Sequence, residues 1–167
     1  MTNRSRCGGF TLVEVLVAVV LLSIGLLGLA KLQFWGVKHT GSAYFRTQAT
    51  QLANELVERM RANPVAVANL EYALGKGVCS VPDCSRSVPD CAADYCDEGQ
   101  MAQYDLYSIA CGISGEGDQL GVDDLLPGGE LAVQCAQNDS VICTVKVCWK
   151  EADDIQGGGM VQMTVVP

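Results

Sequence analysis

Residues 15–30, VLVAVVLLSIGLLGLA, run for sixteen positions without a charge. Nothing else in the chain restricts its fold so tightly. With Phe10 to Val13 in front and a continuation toward Trp35, the stretch is long enough for a helix to cross a hydrocarbon layer of roughly 30 Å. A secretory signal has a shorter apolar core, about 7–15 residues, followed by small residues. Here the small pair Gly8-Gly9 precedes the run. A plain membrane anchor accounts for the apolar stretch and leaves Glu14 unexplained. An unpaired acid at that depth in lipid costs about 3 kcal/mol. Either Glu14 snorkels from a helix end, or a counter-charge reaches it.

Charge divides the rest of the chain. Residues 1–9 hold Arg4 and Arg6 and no acid, residues 10–75 are nearly balanced, and residues 79–167 carry fifteen acids against Arg86, Lys146 and Lys150. That acidic body has a net charge of −12, within a whole-chain charge of −8. A nucleic-acid partner needs a basic face and is excluded. With 49% hydrophobic residues the chain is no disordered polymer. His39, the single histidine, is read as a solvated helix position and leaves little room for histidine-based catalysis or metal binding.

Apart from Cys7, the cysteines (Cys79, Cys84, Cys91, Cys96, Cys111, Cys135, Cys143 and Cys148) all lie in the acidic body. An even number in a short region reads as a disulfide framework formed in an oxidising compartment. Zinc and redox-pair readings lose because there is no C-x-x-C pair and no histidine beyond position 39. Eight cysteines allow roughly a hundred pairings, and spacing does not choose among them. Cys143 and Cys148 are excluded as partners, since five residues of strand hold them about 16 Å apart. Cys135 or Cys111 could reach Cys143.

Phe45, Ala49, Leu52, Leu56 and Met60 recur on one helical face, so the helix continues beyond the apolar run. Glu55 and Arg59 form an i,i+4 pair worth about 0.3–0.5 kcal/mol. Asn63-Pro64 stops the pattern. A helix over about 10–62 would be roughly 80 Å long, with Trp35 in an interfacial belt. Gly25, Gly28, Gly36 and Gly41 mark either soft points or close helix contacts. Residues 75–99 read as an irregular disulfide-held loop. Ala102, Leu106, Ile109 and Ile113 suggest a short helix carrying Cys111, and Leu126–Gly129 a turn. A strand is expected to begin at Leu131, Val133 and Cys135. Val141–Trp149 is the clearest strand, with Val141, Cys143, Val145, Val147 and Trp149 on one face. After a loop over 151–159, Met160–Val166 reads as the last strand. The expected class is α+β, a long N-terminal helix on a small antiparallel sheet.

Gly8-Gly9-Phe10-Thr11-Leu12-Val13-Glu14 resembles the type IV prepilin processing motif, G|F-T-L-x-E, at every position. The resemblance implies a type IV pilin-like fold whose helix spans the membrane in its first half. It implies that residues 1–9 are a leader, that a prepilin peptidase cuts between Gly9 and Phe10, and that Phe10 is then N-methylated. Glu14, fifth in the mature chain, would pair with a terminal ammonium during assembly, offsetting two desolvated charges at once. Residues 10–35 would be the transmembrane and assembly helix, 36–63 its amphipathic continuation, and 64–167 a periplasmic head. Arg4 and Arg6 suit the cytoplasmic side.

Asn54–Pro64, NELVERMRANP, is similar to the segment after the membrane helix in PilV-type minor pilins. The LPGG at 126–129 and the strand ending in Trp149 fit the same subfamily. A minor pilin is a structural component that primes pilus assembly and sits at low copy in or at the tip of the fibre, supporting twitching motility and adhesion. Its implied partners are the peptidase, other minor pilins, the major pilin, the inner-membrane assembly machinery and a tip adhesin. It would pass once through the inner membrane before joining the extracellular pilus. The resemblance implies no catalytic residue, cofactor or metal, and so no enzyme. The alternative is a minor pseudopilin of a type II secretion system. An anchored periplasmic enzyme is disfavoured, because nucleophile elbow, metal cluster and phosphate loop are all missing from the sequence. Asp118, Asp123, Asp124, Asp153 and Asp154 do not follow calcium-loop spacing and read as a solvated acidic surface.

Overall fold

Uninterrupted helix-compatible sequence from Leu12 to Ala62 forms one 51-residue helix, α1. The structure, a computed structural model, describes residues 11–113, 119–137, 140–151 and 158–166. Phe10, Asp118, Asp153 and Asp154 therefore lie outside the described residues, as does the side chain of His39. Two compact units meet at Gly41–Ser42.

In the first unit α1 carries an 18-residue window of mean hydropathy 2.7, none of it buried, long and apolar enough to cross a membrane. Its hydroxyls are satisfied internally: Ser23 Oγ donates to the Val19 carbonyl at 2.7 Å and Thr40 Oγ1 to that of Gly36 at 2.8 Å. Such back-bonding hides a polar group in apolar surroundings. The helix runs through Gly25, Gly28 and Gly36 without a break, and a side chain at any of them would meet nothing within 4 Å.

In the second unit α1 buries the expected face, Ala49, Leu52, Leu56 and Met60, together with Ala53 and Val57. Asn63 ends it and caps the five-residue helix α2, Pro64–Ala68, its Oδ1 accepting from Ala66 N at 3.4 Å. Proline is preorganised for the first helical position, where no amide partner is needed. Helix α3, Glu98–Cys111, starts with a reciprocal Asp97–Gln100 capping box. The short α4 spans Val122–Leu125. Strands β1 (Glu130–Gln137), β2 (Val141–Trp149) and β3 (Gly159–Val165) form one antiparallel sheet in that order. Val145 lies opposite Val133 on one side and Met163 on the other. Cys143, Val145, Val147 and Trp149 face the core, which α1 and α3 close.

Three expectations shift. Ile113 does not continue α3: Gly112 ends that helix at a φ of 76°, and Ile113 bridges to Gln119. A left-handed residue at this place is glycine's usual role. Residues 75–99 are, as expected, largely an irregular segment held by disulfides, but they also carry a 3-10 turn, a bridge to β1 and the first two residues of α3. The 3-10 turn at Gly75–Gly77 is flanked by single bridges to β1, Leu74 opposite Val133 before it and Ser80 opposite Leu131 after it. The last strand is displaced by one residue, to Gly159–Val165.

The eight body cysteines pair as Cys79–Cys148, Cys84–Cys111, Cys91–Cys96 and Cys135–Cys143. Of the two candidates for Cys143, the directly opposite Cys135 takes it, at a Cα separation of 4.0 Å. Cys111 instead ties α3 to the loop at Cys84.

Candidate functional site

At the entry to α1, Thr11 offers two acceptors to the first turn. Its carbonyl accepts from Glu14 N at 3.1 Å and from Val15 N at 3.3 Å, and its Oγ1 accepts from Glu14 N at 3.3 Å. Thr11 thus acts as an N-cap, and Thr-Leu-Val-Glu has the spacing of a capping box. The first turn of a helix also favours an acid, because its free amides carry partial positive charge. Glu14 is exposed, and among the described residues no cation pairs with it. Ala18 and Leu22 follow it at helical spacing, leaving a shallow apolar depression beside the carboxylate. Gly9 and Phe10 lie outside the described residues.

A second polar cluster holds the lower part of α1 to α3. Arg59 Nη1 donates to Asp105 Oδ1 at 3.2 Å and Ser108 Oγ at 2.7 Å, while Nη2 donates to Glu55 Oε1 at 2.6 Å and Gln119 Oε1 at 3.3 Å. Gln119 Nε2 closes the ring on Glu55 Oε1 at 2.7 Å. From the opposite side the fully buried Tyr72 hydroxyl donates to Asp105 Oδ2 at 2.7 Å. Asn63 Nδ2 donates to the Glu98 carbonyl at 2.8 Å. Both oxygens of Asp105 are therefore satisfied, as a buried carboxylate requires. The turn that delivers Tyr72 passes through Leu70 at a φ of 62°, a left-handed conformation unusual for a non-glycine residue.

Burial opposes the Arg59 charge, but hydrogen bonds from Arg59 to Glu55 and Asp105, and their negative charge, outweigh it and hold the guanidinium above its ordinary pKa. Burial, then the hydrogen bond to Asp105, pushes the Tyr72 hydroxyl well above the usual tyrosine range. In the exposed loop, Asp83 is held below the usual carboxylate range by hydrogen bonds from the Ser85 hydroxyl and amide.

Two family models match the chain. The model of the prokaryotic N-terminal methylation motif matches residues 4–30, and that of type IV pilin Tt1218 matches residues 31–107. The chain is a type IV prepilin-like protein. No curated protein matched the chain, and neither did any solved structure. Pilins are structural proteins, and the methylation motif implies processing by a prepilin peptidase and assembly with other pilins.

In this pilin the Tt1218-like match covers Glu55, Arg59, Asn63, Tyr72 and Asp105, and stops just short of Ser108. The run Glu58-Arg59-Met60-Arg61-Ala62-Asn63-Pro64 thereby acquires a physical meaning. Arg59 and Asn63 hold the junction with α3, Met60 is fully buried, Pro64 opens α2, and Arg61 only meets Glu58 at the surface, at 2.5 Å. Tyr72, Asp105 and Ser108 carry no motif; a lone acid on the apolar face of α3 was the available signal. Asp124 Oδ2 accepts from Gly121 N at 3.3 Å, which ties it to its own helix start.

Proposed function

We propose that this pilin is a minor type IV pilin of the PilV type, which helps initiate pilus assembly and enters the fibre at low copy, at or near its tip. Asn54–Pro64 carries the reading: it resembles the subfamily's segment, and its Arg59 and Asn63 hold the end of α1 to α3. The basic leader suits a cytoplasmic start, so the head lies in the periplasm after a single membrane pass. A prepilin peptidase cuts between Gly9 and Phe10 and methylates Phe10. Glu14, uncompensated among the described residues, then meets the new terminal ammonium of its own or a neighbouring subunit. That pairing relieves both charges of a desolvation neither bears alone. The disulfide-bonded cysteines of the head keep an acidic, loop-rich domain folded outside the cell.

Mass spectrometry of sheared pili tests this. The expected chain starts at N-methyl-Phe10, carries four bridges, and is scarce beside a major subunit. Recovery only as the intact chain beginning at Met1, never with other subunits, refutes the processing and assembly roles. A deletion strain that loses secreted enzymes and keeps motility assigns the chain to a type II secretion system instead.

A further inference from the structure

The two edges of the sheet are treated differently. The outer edge of β1 is covered: Leu131 N donates to the Ser80 carbonyl at 3.1 Å and Val133 N to that of Leu74 at 2.9 Å, with the reciprocal bonds at 3.4 and 2.8 Å. Those bonds also set the direction of every backbone group across the sheet, because antiparallel partners alternate between facing each other and facing away. Leu131 and Val133 point away from β2, so their partners Val147 and Val145 point toward β3 and bond to Val161 and Met163. The amides and carbonyls of Met160, Gln162 and Thr164 consequently face outward, and among the described residues nothing bonds to them.

Free edges are ordinarily blunted by lysine, proline, a bulge or a covering segment. Strand β3, GMVQMTV, has no charge and no proline, although the surrounding body carries fifteen acids. Its side chains on the outer face, Met160, Gln162 and Thr164, are exposed. A second unmet need lies at the start of the same strand. The Trp149 ring fills the space where a Gly159 side chain would sit, and its Nε1, in a residue 3% exposed, has no hydrogen-bond partner among the described residues. Trp149 lines a cleft with Gly158, Gly159 and Met160 at the start of that edge.

We infer that β3 is a docking edge that takes up an extended segment of a different pilus subunit as a fourth strand, beginning over the Trp149 cleft. Only extended backbone matches alternating outward amides and carbonyls. The occupant's side chains are neutral or basic, since a second copy would bring another acidic body of −12 against the first. The inference rests on the reading of the chain as a pilus subunit.

Amide exchange on the full chain tests it, comparing sheared filaments with the same chain dispersed in detergent. The amides of Val161 and Met163 should be protected in both states. Those of Met160, Gln162 and Thr164 should slow at least about tenfold only in filaments, as expected for newly bonded edge amides. Gln162→Pro removes one outward amide and no bond to β2, so the dispersed variant should keep its Val161 and Met163 protection yet enter filaments poorly, while Gln162→Ala enters normally. A photo-activatable group at position 162 should cross-link to a different subunit; a link to a second copy overturns the choice of occupant. Filament-bound chain whose outward amides exchange as fast as in detergent overturns the docking edge and leaves the pilin reading intact. A chain never present in filaments overturns both.

Discussion

Arg59→Met keeps most of the apolar stem of the side chain and deletes its guanidinium. In the native protein that group satisfies Asp105 Oδ1, Ser108, Glu55 and Gln119 together. After the change Asp105, with a side chain only 8% exposed, keeps the Tyr72 hydroxyl and loses its counter-charge. Removing one partner of a buried ion pair typically costs about 3–5 kcal/mol. The Arg59 side chain is 24% exposed, so water partly screens the pair, and the Tyr72 bond survives. A loss of about 2–3 kcal/mol follows from that discount. For a folded unit of this size the melting midpoint should fall by about 8–12 °C. Near-ultraviolet circular dichroism of the full chain in detergent reads it, because the signal comes from packed aromatic side chains of the second unit. Adding Asp105→Leu to Arg59→Met should recover part of the loss, since the stranded charge is then gone. A loss below about 0.5 kcal/mol, which is all an exposed helix pair contributes, would refute the buried-network argument. So would strict additivity of the two substitutions.

Glu14→Ala should leave membrane insertion intact, because it removes a charge from an apolar helix, while reducing recovery in sheared filaments; undiminished recovery counts against the pairing role. Cys79→Ser with Cys148→Ser opens a bridge of sequence separation 69 and should cost about 4 kcal/mol, whereas Cys91→Ser with Cys96→Ser, separation 5, should cost about 2, by loop-closure entropy. Denaturant midpoints of the two variants check the order, and equal losses would count against it. The raised Tyr72 pKa favours the protonated hydroxyl in the folded state. Its stabilising contribution is therefore complete below the ordinary tyrosine pKa of about 10 and is lost as pH rises through the higher folded value. Tyrosinate absorbance of wild type and Tyr72→Phe should superpose until the fold melts in alkali; an early difference between them would contradict the burial.

Local pattern carried much of this fold. Val141–Trp149 alternates so regularly that its bounds as a strand could be read to the residue, and the α1 face from Ala49 to Met60 follows from the helical period. Each such reading needs only neighbours in the chain, and the side-chain periods of helix and strand differ enough to separate them. The Arg59 cluster shows where this ends. The Glu55–Arg59 pair was visible at helical spacing, but it read as a surface pair worth a few tenths of a kcal/mol. Its weight comes from Tyr72, Asp105 and Ser108, which lie 13, 46 and 49 positions from Arg59 and reach it only through the turn at Leu70 and the docking of α3.

Taken alone, the sequence determined what depends on order along the chain: the apolar helix with its single early acid, the processing motif, and a body whose cysteines read as a disulfide framework. Only the folded structure decided which cysteines join, which polar groups bury together, and which sheet edge is left open. Those outcomes are set by distance in space. Local propensity constrains them weakly, because a chain returning on itself brings into contact residues whose spacing bears no relation to any helical or strand period.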